Sequence, residues 1–180
     1  MALVTLVVKN RMPQPMWTMI HLVTLGVLSN GIFQWSWFFA RSLARLSADD
    51  PRARRHNTIR ILIFNACFLL LFVSMWLGWM VGTMIAATGI AAVAAWHGAE
   101  MLSVLRERLA SRFVVVVRYY VCSASFFVLA ALLASFVTAT MFSPSIPEAL
   151  VAMRDRLTLA HALSGVAGWV GLTNGGTAIT

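Results

Sequence analysis

Three histidines of this chain stand inside long apolar stretches, where an ionisable side chain is costly and is therefore a candidate for function. His21 and His161 each lie a few residues into such a stretch, about 6 Å below its boundary at the helical rise of about 1.5 Å per residue. Two imidazoles at one depth on different helices can hold a haem b by its two axial positions. They could equally be two of the three or four ligands of a copper or zinc site. A quinone-linked role is a further reading, and so is a bond from each ring to a nearby carbonyl with no cofactor at all. His97 and Glu100 stand one helical turn apart nearer the other end of their stretch. Such a pair can share a proton, or simply a local hydrogen bond. His56 falls in an Arg-rich loop and reads as solvated.

The elements that position these residues follow from composition. Of 180 residues, 60% are hydrophobic and 11% charged, against roughly 25% charged in soluble domains. A soluble fold of this size could not bury so much apolar surface, whereas lipid solvates it. A span needs about 20 mainly apolar residues, and five stretches qualify: 17–40, 61–79, 81–105, 119–141 and 157–180. The expected fold is all-α, an integral membrane bundle of about five transmembrane helices preceded by an extracytoplasmic tail, residues 1–16. Gly78 and Gly82 predict a very tight turn between spans two and three. Span five stops at Thr180 with no basic flank, which suggests a fragment truncated at its C-terminus.

Orientation is read from the basic residues. The 41–60 loop carries six arginines and the 106–118 loop four. The opposite side has Lys9, Arg11, Arg154 and Arg156. This excess places both Arg-rich loops in the cytoplasm and the N-terminus outside a plasma membrane. Trp17, Trp76 and Trp79 fall at the outer ends and Trp35, Trp37 and Trp96 towards the inner side, as interfacial anchors do; Trp169 alone is mid-span. The net charge of +8 flanks apolar runs, so the implied partner is anionic lipid and not nucleic acid.

Other polar or small residues have plainer readings. Cys67 and Cys122 read as packing residues. Asn30 and Gln34, with Asn65 at similar depth on span two, read as interhelical glue. Gly165 and Gly168 share a face with His161, and Gly175 falls close to it. That stripe could seat a helix or form one wall of a cofactor site. Phosphate-loop, HExxH, GxSxG and CxxCH motifs are absent from the sequence, so no catalytic machinery is legible in this chain.

Several anchors carry a resemblance. Trp17–His21 with Leu25–Gly26, Trp35–Phe38, Arg118–Tyr119–Tyr120, and Leu159–Ala160–His161 leading into 168–173 resemble the N-terminal membrane region of actinobacterial multicopper oxidases related to copper nitrite reductases. The resemblance implies an extracytoplasmic cupredoxin module downstream, holding copper, with this chain as its membrane anchor and electron-transfer domain. Membrane quinol would then be the implied electron source. The chain is also distantly similar to haem-copper oxidase subunit I, which implies His21 and His161 as haem ligands; in place of the doubled histidine of those proteins stands His161–Ala162–Leu163. A freestanding b-type haem subunit and a cofactor-free structural subunit are the alternatives.

Overall fold

The structure is a computed structural model that describes residues 14–47, 49–50, 52, 54–107, 114–143 and 145–179. The residues 1–13 of the expected N-terminal tail, with Lys9 and Arg11, and also Arg108 and Arg112, lie outside the described residues. The described chain is all-helical. Helix α1 spans Pro15–Leu43, α2 Arg55–Trp76, α3 Met80–Glu107 and α4 Val114–Phe142. These four are long and apolar enough to cross a membrane. A short helix α5, Glu148–Ala152, leads into α6, which runs through residues 154–178. Helix α6 covers residues 157–178 of the expected fifth span and packs along α4 but is not among those four.

No more than half of the most apolar window of any of the four is buried inside the bundle. Leu62, Leu69, Val73, Leu132 and Phe136 project outward. Water would penalise those faces, and hydrocarbon does not. The protein is a membrane-spanning helical bundle.

The helices outrun the expected spans where the chain leaves the apolar layer. α3 continues to Glu107 and α4 starts at Val114, so Arg106 and Arg118 sit on helix ends and not in a loop. The turn between α2 and α3 forms where two glycines predicted it. Gly78 has a φ of 65°, a conformation open to glycine at little cost. Gly82 faces the Trp79 ring and the Ser74 hydroxyl at a distance that leaves no space for a Cβ.

Two apolar cores lie in series along the bundle. One is built on Phe33, Phe64, Phe127 and Trp169; the other, at the Arg-rich end, on Trp37, Met101, Val104 and Tyr120. Asn30 and Asn65 exchange amide hydrogen bonds of 3.1 and 2.9 Å between α1 and α2. This is the interhelical glue that their depth suggested. Trp35, Trp76 and Trp79 are exposed as a membrane belt requires, but Trp37 is buried against Arg60.

Candidate functional site

His21 and His161 come together. Their ring centroids are 6.1 Å apart and their planes differ by 14°. Both line one apolar cavity of about 290 Å³ at the end remote from the Arg-rich loops, between α1, α4 and α6. Leu71 and Met75 of α2 and Ala87 and Ile90 of α3 close it from the sides.

Each ring is held by its δ nitrogen. His21 Nδ1 lies 2.9 Å from the Trp17 carbonyl one turn earlier, and His161 Nδ1 lies 2.8 Å from the Ala130 carbonyl of α4. A carbonyl only accepts, so each Nδ1 carries the proton. Each neutral ring then keeps its lone pair on Nε2. The Trp17 indole stacks on His21 at 4.3 Å and fixes its rotamer. Carbonyl bonds alone would suit a purely structural pair. That role does not call for two Nε2-basic rings sharing one apolar cavity.

Local backbone geometry repeats at the two histidines. His21 is followed at once by a π-helical stretch, Leu22–Ser29, and a second, Ser164–Gly171, begins three residues after His161. π-turns are rare and concentrate at functional sites. The side chains of His21, Thr24 and Ser29 return hydrogen bonds to the Trp17, Ile20 and Thr24 carbonyls. Such back-bonding competes with the regular ladder and favours a widened turn. Both segments also share the order Thr-x-x-His-x-x-Thr/Ser, at 18–24 and 158–164. That internal likeness was a signal in the sequence that depth alone did not use.

The glycine stripe divides in two. A Cβ on Gly165, which lines the cavity, would meet nothing within 4 Å, whereas one on Gly168 would come within 2.5 Å of Phe126 of α4. Gly168 seats a helix and Gly165 opens on the cavity. Gly175, too, has open space beside it.

The donor set bears on which group could bind. Among the described residues no cluster of three or more His, Cys, Asp or Glu is present. A closed zinc site wants four such ligands; a haem wants two, from opposite sides. Two metal–nitrogen bonds of about 2 Å each, added to the two ring radii, give centroids roughly 6 Å apart. The 6.1 Å centroid spacing of His21 and His161 is close to that sum, and their two rings are near-parallel.

His97 and Glu100 take different partners. His97 is fully buried, and its Nε2 is 3.0 Å from Ser36 Oγ on α1. Glu100 instead binds α2: its carboxylate accepts from Arg60 and from His56 Nδ1 at 2.8 Å, and from Trp96 Nε1 at 3.0 Å. His56, expected to be solvated, is thus half-buried in an ion cluster. Its spacing to Arg60, one turn on, was the sequence signal for this, since both then share a helix face. Beside this cluster Arg52 binds Asp50, Ser103 and Glu107 and ties the loop to α3. The Arg52 guanidinium holds the Asp50 carboxyl below the usual carboxylate range.

Together the elements define a membrane bundle with a two-histidine cavity between its helices. No family model, curated protein or solved structure matches this chain.

Proposed function

We propose that the chain is the membrane-anchoring and electron-transfer domain of a multicopper oxidase or copper nitrite reductase-like protein, in which His21 and His161 would hold a haem b. One observation carries the reading: two imidazoles on different helices, both fixed through Nδ1, line one apolar cavity with their ring centroids 6.1 Å apart. A bound haem would supply an iron that carries one electron at a time. The Trp17 and Ala130 carbonyls orient the ligands and raise their basicity, as partners behind metal ligands do. The apolar walls keep water from the centre, and Gly165 leaves room for a flat ring edge.

In this reading the bundle, its sixth helix included, spans a plasma membrane with the Arg-rich loops in the cytoplasm. The cavity then opens near the outer leaflet. Electrons from quinol would leave there for an extracytoplasmic copper module. Purification in detergent, with an optical spectrum and haem and metal analysis, tests this. A Soret band that shifts on reduction and is lost in His21→Ala and His161→Ala supports it. A colourless, metal-free full-length protein overturns it. Copper without a Soret band would put a soft metal in its place, with Met75 or Met141 of the cavity wall as thioether donors.

A further inference from the structure

Asn30 and Asn65 satisfy one another across α1 and α2. Gln34, the third amide expected to join helices, joins none within the bundle. Its Nε2 donates to the Asn30 carbonyl one turn back at 3.3 Å, and among the described residues its side chain makes no other hydrogen bond. A second N–H and the Oε1 acceptor stay unused. The residue is exposed on the outside of α1.

Depth makes this costly. Gln34 lies seven residues before Arg41 on the same helix, about 10 Å at the helical rise. With Arg41 at the headgroups, Gln34 falls inside a hydrocarbon core of about 30 Å, where no water reaches an amide. Other outward polar groups are met within their own helices. Thr24 and Ser125 each donate to the carbonyl four residues earlier, and a hydroxyl so bonded has used its one donor. A glutamine still has a donor and an acceptor to place.

The surface around Gln34 suits a neighbouring helix. Val27, Gly31, Gln34 and Phe38 follow at intervals of four, three and four, so they share one helix face. Val27 and Phe38 are both exposed. Between them a Cβ on Gly31 would meet nothing within 4 Å, which leaves room for close approach. Helix α1 is also the span least covered by its own bundle: 22% of its most apolar window is buried, against 33% or 50% in the other three.

The chemistry of the amide selects the occupant. Copies of one membrane chain insert in the same sense, so Gln34 of one copy stands at the depth of Gln34 in the next. A two-fold axis along the membrane normal brings the pair face to face. Each amide then gives an N–H and accepts one at its oxygen, as Asn30 and Asn65 do inside the bundle. A different protein would need a polar group of its own at that depth, and a lipid tail has none.

We propose that α1 is the contact of a two-fold dimer of this chain, crossing near Gly31 and held by reciprocal hydrogen bonds between the two Gln34 amides. The dimer stands apart from the haem reading, since none of the four face residues lines the two-histidine cavity.

The test uses the full chain, dye-labelled at its N-terminus and reconstituted in phosphatidylcholine–phosphatidylglycerol liposomes at increasing lipid dilution. Energy transfer reads association, and photobleaching counts the copies. Wild type should associate and bleach in at most two steps. Gln34→Leu should weaken association about five- to thirtyfold, the worth of one to two kcal/mol of interhelical hydrogen bonding. Its circular dichroism should match wild type, because the residue packs against nothing in the bundle. A second readout needs no change at Gln34. In a chain whose Cys67 and Cys122 are alanine, Val27→Cys should cross-link on oxidation, whereas Leu69→Cys, exposed on α2, should not. Monomers at every dilution overturn the proposal and leave the face to another protein. More than two bleaching steps, undiminished association in Gln34→Leu, or cross-linking through Leu69 in place of Val27 overturn it as well.

Discussion

Removing Glu100 would strand the buried Arg60 charge, and removing Arg60 would leave the Glu100 carboxylate with His56 as its remaining ion partner. Arg60 has no solvent exposure and Glu100 only 7%. Arg60→Met or Glu100→Leu alone should therefore cost about 3–5 kcal/mol. The double variant, which removes both charges, should cost much less than the sum of the two. Unfolding in detergent micelles, followed by circular dichroism, measures the difference; simple additivity would show that the pair is not coupled. At this scale the sequence was partly legible. His21 and His161 share a depth, and depth is readable from helical rise. The partners of His97 and Glu100 were not, because two residues one turn apart point in directions that only the neighbouring helices decide. His97 found Ser36 on α1, and Glu100 found α2.

Helices α4 and α6 meet through a glycine, and the meeting is close enough to predict from. A methyl group at Gly168 would lie 2.5 Å from the Phe126 Cβ and Cγ. The first of these is anchored to the α4 backbone and cannot swing aside. Gly168→Ala should push α6 away from α4 and destabilise the bundle by about 1–3 kcal/mol, the usual penalty of overpacking. Gly165→Ala faces open space and should be neutral or slightly stabilising, since alanine is the better helix former. Thermal midpoints of the two variants in one detergent decide this, and equal losses would contradict the assigned contacts. The spans themselves were legible because a long apolar run with basic flanks has few alternatives in lipid. The π-helical stretches were not, since features such as the hydroxyl and imidazole bonds to particular carbonyls around Leu22–Ser29 leave no mark in a periodicity. The same limit kept Gly165 and Gly168 from being told apart, because a stripe gives a face and not its occupant.

For the molecule as a whole, the arginines and the cavity make one joint statement. The Arg-rich end carries Arg52, Arg54, Arg55 and Arg60, while His21 and His161 open at the other. If basic residues stay on the cytoplasmic side, Ser47 lies inside and Ser145 outside; both are exposed. Single cysteines at these positions, in a chain whose Cys67 and Cys122 are replaced by alanine, should then differ in intact cells. A membrane-impermeant maleimide should label Ser145→Cys directly and Ser47→Cys only after permeabilisation. The reverse pattern would invert the bundle, turn the two-histidine cavity to the cytoplasm and remove any route to an extracytoplasmic copper module. Labelling of both from outside would mean an even number of crossings between residues 47 and 145, whereas α2, α3 and α4 supply three. A single experiment thus bears on the charge rule, the helix count and the side on which an electron could leave.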